Sequence, residues 1–352
     1  MQWGATRAAA PTRLPSLAAG QVSPYPDRAS NAVADSFALY GQGTWTPSIL
    51  DGALHLTAGA RYTNDNKHGD LFKVNGVDTP DTFEISSSRV DPTVTIAFDA
   101  SESIHLYGKW GTAYRAGGAN SRSITYRAYD PEEVETTEIG FKSEFLDRHV
   151  RLNVAAYKTI YKNQQIDFNA VLSAVPGGPT RTTIETINAT GNGTIKGVEA
   201  DLTVAALQGL TLTASYAYTK GDLKKAANPF RNNALENVFL VYTPENAYSA
   251  AIDYCLPVAG AELRAHLDAS GGDGYHSQSS DPLLTDSSFV VNGRLAIADI
   301  ELDAAARLQV SLWGRNLFNE QHTFFATGTP QSLLLGIFNE PLTYGVEATV
   351  RF

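Results

Sequence analysis

The chain has 352 residues, and its 27 Lys plus Arg against 37 Asp plus Glu leave a net charge of −10, which argues against a nucleic-acid phosphate backbone as its partner. At 43% hydrophobic and 18% charged, with 29 Gly, it is too apolar to be disordered and too polar for a bundle of membrane helices. The single cysteine, Cys255, excludes a framework of internal disulfides. Uninterrupted apolar runs, Leu333 to Leu335 and Val238 to Tyr242 among them, are only a few residues long and fall far short of the ~20 residues of a spanning helix, so any membrane span must be β.

Residues 1–34 are rich in Ala, Pro, Ser and Arg and follow neither the helical nor the strand period, which reads as an irregular lead-in. Met1 to Arg7, followed by Ala8-Ala9-Ala10 and Pro11, shows no apolar core of the roughly 7 to 15 residues that an export signal requires. From Asp35 onward apolar and polar positions alternate, with Val, Thr, Tyr, Phe and Trp enriched. This pattern predicts thirteen strands, at 35–46, 53–64, 88–99, 103–115, 134–146, 149–163, 193–206, 209–220, 246–256, 261–271, 287–299, 305–316 and 342–352.

The connections alternate strictly between short (47–52, 100–102, 147–148, 207–208, 257–260, 300–304) and long (65–87, 116–133, 164–192, 221–245, 272–286, 317–341). A soluble sandwich gives no reason for every second loop to be long, whereas an outer-membrane barrel pairs short periplasmic turns with long extracellular loops. The strand at 342–352 then runs down to the periplasmic rim.

One face of the clearest strands is free of charge: Val198, Ala200, Leu202, Val204; Leu210, Leu212, Ala214, Tyr216, Tyr218; Leu263, Ala265, Leu267, Ala269; and Tyr344, Val346, Ala348, Val350, Phe352. The interleaved face carries Glu199, Asp201, Glu262, Arg264, Asp268, Arg294 and Glu347. A Lys or Arg facing the middle of a bilayer costs about 2–4 kcal/mol, so the segregation fits hydrocarbon on one side and water on the other. A buried sandwich face would also exclude charge. Aromatics at both ends of the apolar stripes, Tyr344 with Phe352 and Tyr248 with Tyr254, favour two interfacial girdles instead.

Several stretches, in order, resemble the TonB-dependent outer-membrane receptors, specifically the carboxy-terminal part of their barrel. They are Ser36-Phe37-Ala38-Leu39-Tyr40-Gly41-Gln42, Leu56-Thr57-Ala58-Gly59-Ala60-Arg61-Tyr62, Tyr114-Arg115-Ala116-Gly117-Gly118, Asp130-Pro131-Glu132, Glu138-Ile139-Gly140-Phe141-Lys142, Ile195-Lys196-Gly197-Val198-Glu199, Trp313-Gly314-Arg315-Asn316-Leu317-Phe318-Asn319-Glu320, and Tyr344-Gly345-Val346-Glu347 through Arg351-Phe352. The resemblance covers 35–352 and implies an all-β, antiparallel transmembrane barrel, of which about thirteen of roughly 22 strands are present. No plug or TonB box is visible, so the expectation is a carboxy-terminal portion of a receptor.

The same resemblance implies energised uptake of a ferric siderophore or a similar large, scarce solute. The implied partners are the TonB energy-transducing complex acting through a plug, the barrel assembly machinery, outer-membrane lipid and the iron chelate. It implies no catalysis and no cofactor of the protein's own. Glu138 and Glu199, on the lumen side by alternation, resemble barrel glutamates that pair with plug arginines. The alternative is that they only hydrate a polar lumen beside Lys142 and Lys196.

Among the loops, the one after Arg115 is the candidate for ligand contact, because Arg115, Arg122, Tyr126, Arg127 and Tyr129 combine cations for an anionic chelate with rigid phenolic surfaces, although a solvated loop face is the commoner meaning of such a span. The long loops at 164–192 and 317–341 are alternatives. Tyr344, Val346, Ala348, Val350 and the terminal Phe352 resemble the signal read by the barrel assembly machinery. The seven histidines (His55, His68, His105, His149, His266, His276, His322) form no His-Glu-x-x-His pair, and Gly191-Asn192-Gly193-Thr194 lacks the spacing of a phosphate-binding loop, so no protein metal or nucleotide site is expected. The rival readings are a passive plugless channel and, second, an outer-membrane enzyme or a soluble β adhesin; no nucleophile, base and orienter set supports the second.

Overall fold

The computed structural model describes residues 28–74, 76–173, 180–303, 306–328 and 334–352. In chain order the strands begin with β1 (Ala29–Trp45), β2 (Leu54–Val74), β3 (Val77–Ser101), β4 (Ile104–Arg115), β5 (Gly118–Ala119), β6 (Ala128–Tyr129), β7 (Glu132–Phe145) and β8 (Val150–Lys162). They continue with β9 (Gln165–Ser173), β10 (Thr180–Asn188), β11 (Gly193–Leu207), β12 (Leu210–Asp222), β13 (Ala226–Asn228), β14 (Ala234–Glu236) and β15 (Asn246–Val258). The last are β16 (Ala261–Gly272), β17 (Ser288–Glu301), β18 (Arg307–Arg315), β19 (Thr323–Gly328), β20 (Leu334–Phe338) and β21 (Thr343–Arg351).

Thirteen of these form one antiparallel sheet in the order β1-β2-β3-β4-β7-β8-β11-β12-β15-β16-β17-β18-β21, and the other eight pair as small hairpins inside the long connections. The expected wall is therefore observed. The period of two fixes its faces: Val198, Ala200, Leu202 and Val204 of β11 lie opposite Tyr218, Tyr216, Ala214 and Leu212 of β12, so the predicted apolar stripes merge into one continuous surface. That surface is bare of protein, with Ile139 63% and Val346 73% exposed, as befits a face whose solvent is hydrocarbon. No described helix is long and apolar enough to cross a membrane.

The short connections are tight turns that demand left-handed backbone. Gly209 (φ +79) joins β11 to β12, and a Cβ there would run into the carbonyl of Cys255.

Two boundaries depart from the sequence reading. β1 begins at Ala29, so residues 29–34 belong to the wall; residues 1–27 of the expected lead-in lie outside the described residues. The stretch 65–87, expected as a loop, instead continues β2 and β3 into one long hairpin paired from Leu54↔Phe98 to Val74↔Val77. Above the membrane neither side of such a ribbon needs an apolar face, so Asn64 to Asp70 lost the alternation that marks a strand while keeping the backbone pairing.

The buried apolar core sits in the extracellular connections rather than in the wall. One cluster joins Ile166 and Phe168 of β9 to Ile187, Ala189, Ala226 and Val238. A second joins Leu71, Val74 and Phe83 of the long hairpin to Tyr126. The long connections are thus packed into a crown. The two edges, β1 and β21, are the first and thirteenth strands of an antiparallel sheet, so they run in the same direction and cannot close antiparallel on each other. A closed antiparallel wall needs an odd number of further strands between them, since open edges in hydrocarbon cost several kcal/mol per unsatisfied group, as an order of magnitude.

Candidate ligand cavity and inner wall

At the extracellular end of β4 and β7, the ladder sets Arg115 directly opposite Glu132. Arg115 Nε lies 2.7 Å from Glu132 Oε1. The buried carboxylate also accepts from Tyr161 Oη at 3.2 Å and, on Oε2, from the Gln165 backbone N–H at 2.8 Å. Gln165 in turn donates its amide to the carbonyls of Ala116 (3.2 Å) and Asp130 (3.0 Å), locking the start of the β9–β10 hairpin onto the loop that follows β4.

These groups floor a cavity of about 640 Å³ whose walls include Arg122, Tyr129, Asp167, Phe239 and Gln278. Asp167 is engaged through Thr186, which donates to it at 2.6 Å and accepts from Asn120 at 3.0 Å. Burial raises the Tyr129 hydroxyl above its ordinary pKa, the neighbouring Arg115 opposing that rise, so Tyr129 stays a neutral donor. The Arg122 side chain makes no hydrogen bond or ion pair among the described residues and leaves its guanidinium for whatever fills the space.

Of the five expected ligand residues, Arg115, Arg122 and Tyr129 converge on this cavity. Arg127 is exposed and faces a separate hollow beside Phe83 and Phe230. Tyr126 is a correction: it is only 2% exposed, packs edge-on against Phe83 with ring centroids 5.0 Å apart, and donates to the Asn31 carbonyl at 3.0 Å. Its ring is consumed by the crown's core, because the apolar hairpin residues above β1 needed a partner. The alternative loop at 164–192 contributes to the same cavity through β9 and β10, whereas no described residue of 317–341 lines it. Sequence reasoning missed Glu132 as an organiser, and also Gln165, Asp167 and the 239–241 and 277–279 segments; nothing in their local pattern marks them, since only the packing of four connections brings them together.

Below the cavity, Glu138 accepts from Tyr107 Oη at 2.8 Å, and Glu199 lies in the same lateral row as Tyr107, through Gly140 and Ala155. Neither carboxylate has an ion-pair partner among the described residues, even though Lys109 stands directly across from Glu138. Lys142 shares their inner face. Lys196 does not: it is three residues from Glu199, and the period of two turns it to the outer surface, which corrects the expectation that it lines the lumen.

Elsewhere the inner wall carries ion pairs of its own, such as Arg294–Glu347 at 2.8 Å and Arg264–Asp299 at 2.7 Å. Near the short turns, Asp99 bridges His55 (3.0 Å) and His105 (2.6 Å). Among the described residues no group of three or more His, Cys, Asp or Glu is arranged to hold a metal ion.

A family model described as TonB dependent receptor-like, beta-barrel, matches residues 2–317. The chain belongs to the TonB-dependent receptor family. Among similar curated proteins are the ferric-pyoverdine 358 receptor of Pseudomonas putida, 25% identical over 48% of this chain and 20% of that protein, and the ferric-pyoverdine M114 receptor PbuA of Pseudomonas sp., 23% identical over 80% of this chain and 33% of that protein. Among solved structures, the ferric yersiniabactin uptake receptor FyuA of Yersinia pestis shares the fold at a TM-score of 0.73 and 15% identity, over 92% of this chain and 46% of that one. The chain thus spans a third or less of these curated relatives and under half of that solved chain.

The structure gives physical reasons for the stretches by which the family was read. In the Trp313–Glu320 stretch, Asn316 is buried with left-handed backbone (φ +50) and donates to the carbonyls of Glu320 (2.7 Å) and Glu340 (3.0 Å) while accepting from the Glu320 N–H at 2.8 Å. It staples both ends of the long connection after β18. Gly345 is bare because the Trp313 ring lies over it, 2.7 Å from where a Cβ would stand. Gly140 and Gly197 are covered in the same way by Tyr107 and Tyr157 from neighbouring strands, each phenol oxygen 2.6–2.7 Å from the absent Cβ. On β21 the outer stripe Tyr344, Val346, Ala348 and Val350 is exposed throughout, ending in Phe352 at 98% exposure.

Proposed function

We propose that this chain is the wall and extracellular crown of an outer-membrane receptor for energised, TonB-dependent uptake of an anionic iron chelate of the siderophore class. The observation that carries the reading is the crown cavity, where Arg122, unpaired among the described residues, the exposed Arg115 and the neutral Tyr129 hydroxyl converge in a space of about 640 Å³. Guanidinium groups suit carboxylate or catecholate oxygens, and a phenol supplies a rigid stacking face. The names of the relatives, receptors for ferric pyoverdines, support the same chemistry.

In this reading Glu138 and Glu199, inner-wall carboxylates without an ion-pair partner among the described residues, receive arginines of a plug, and the chelate enters when force transmitted through TonB loosens that contact. The face formed by Tyr344, Val346, Ala348, Val350 and Phe352 serves the barrel assembly machinery, and removal of Phe352 lowers the assembled amount; unchanged levels would overturn that part.

The deciding experiment measures binding and uptake of iron-loaded chelates by cells making the full receptor. Arg122→Ala is expected to weaken binding about 10- to 100-fold, as for a lost hydrogen bond to a charged group, with surface amounts unchanged. Glu138→Gln with Glu199→Gln is expected to expose the plug to protease without loss of binding. Uptake that persists when TonB is absent would replace this reading with a passive channel.

A further inference from the structure

Three lysines on neighbouring strands stand in one lateral row. The register places Lys158 of β8 directly opposite Lys196 of β11, and Lys196 directly opposite Lys220 of β12. Their parity is that of Ala156, Val198 and Tyr218, so all three project from the outer, lipid-facing surface, and all three are exposed. Lys220 is held by Glu245 at 3.2 Å, while Lys158 and Lys196 have no hydrogen-bonding or ionic partner among the described residues. Directly opposed like charges on adjacent strands are unfavourable, with Cβ atoms only about 5 Å apart, unless an anion lies between them.

The height of the row identifies the anion. From Leu210 up to Lys220, β12 climbs ~25 Å once tilted by about 40°, which is the full height of an apolar barrel band. The outer residues along that climb, Leu210, Leu212, Ala214, Tyr216 and Tyr218, are apolar and then aromatic, and the lysines begin where the tyrosines end. Tyr216 and Tyr218 turn their hydroxyls to Asn246 (2.6 Å) and Glu245 (3.2 Å), as amphipathic rings do at the headgroup level. The row lies on the extracellular side, since β11 and β12 meet at the other end in the tight turn at Gly209. It occupies the middle of the thirteen-stranded sheet, far from both open edges, so further wall strands would not cover it.

We infer that the row Lys158–Lys196–Lys220 is a binding site for the phosphate groups of a phosphorylated glycolipid, of the lipid A type, in the outer leaflet. The ammonium groups bind phosphate as point charges, and the apolar stripe beneath accepts the acyl chains. The contact neutralises the repulsion within the row and fixes the depth of the wall in the membrane.

The test uses the purified full receptor in detergent, with retained lipid quantified by native mass spectrometry after incubation with lipid A or with inorganic phosphate at the same concentration. The expected result is tight retention of lipid A and none of inorganic phosphate. Lys158→Gln with Lys196→Gln is expected to lower lipid A retention roughly thirtyfold, the Arg pair to preserve it, and Lys142→Gln on the inner face to leave it unchanged. Heat-modifiable migration confirms that each variant is folded; should the double Gln variant fail to assemble, Lys196→Gln alone is expected to lose retention severalfold. Undiminished retention in the folded Gln variants, or equal binding of free phosphate, overturns the assignment.

Discussion

Glu132 and Arg115 are held 2.7 Å apart across the β4–β7 ladder with opposite exposure, the carboxylate side chain 5% accessible and the guanidinium 62%. The carboxylate is also gripped by Tyr161 and by the Gln165 N–H, so it is the fixed member of the pair and the arginine is the one free to turn toward a ligand. Glu132→Ala leaves three donors without their acceptor, Arg115, the Tyr161 hydroxyl and the Gln165 N–H, and removes one of the bonds that tie the β9–β10 hairpin to the wall. The expected cost is about 1–3 kcal/mol, read as the midpoint of urea-induced loss of heat-modifiable migration, with Arg115→Ala costing less.

Tyr126 separates packing from recognition. Tyr126→Phe removes the hydrogen bond to Asn31 but keeps the edge-on contact with Phe83. It is expected to lower stability by about 1 kcal/mol and to leave chelate affinity unchanged in equilibrium binding. A loss of affinity without loss of stability would return Tyr126 to the ligand surface.

Glycines of the wall are expected to differ sharply in their tolerance. A Cβ on Gly197 would meet the Tyr157 hydroxyl at 2.6 Å and, more seriously, the Tyr218 backbone carbonyl, whereas one on Gly108 of β4 would meet nothing nearer than Ile139 Cγ2 at 3.9 Å. Gly197→Ala should therefore cost about 1–3 kcal/mol and reduce the folded fraction in a refolding assay. Gly108→Ala should not.

Acid is expected to loosen one seam of the crown. Asp286 accepts from the Thr323 backbone N–H and hydroxyl, both at 2.9 Å, and these bonds hold its carboxyl below the usual aspartate value. A depressed folded-state pKa means that the contribution is present above the ordinary aspartate pKa of 3.8 and disappears as pH falls through the lower, folded value. The protection factor of the Thr323 amide, its exchange compared with the intrinsic rate at the same pH, should be high at neutral pH and fall once pH drops below the ordinary aspartate value of 3.8. Asp286→Asn should show a lower protection factor at neutral pH and little further change with acid.

The strand count, the alternation of connections and the outer stripe were legible in the sequence because each depends on a local period imposed by solvent. Leu210, Leu212 and Ala214 alternate with polar residues since one side meets hydrocarbon and the other water, and a register slip of one residue would exchange them. The long hairpin of β2 and β3 escaped notice where both of its sides leave the membrane, and Lys196 was placed on the wrong face although its parity with Val198 was available.

By itself, then, the sequence determined which residues face lipid and how many strands make the wall, because a bilayer acts on every strand independently and writes its constraint residue by residue. Only the tertiary structure decided that Tyr126 is core, that Arg122 and Asp167 share a cavity, and that Lys158, Lys196 and Lys220 stand in one row. Those relations join residues far apart along the chain through strand register and loop packing, and no local period encodes which distant partner a side chain will meet.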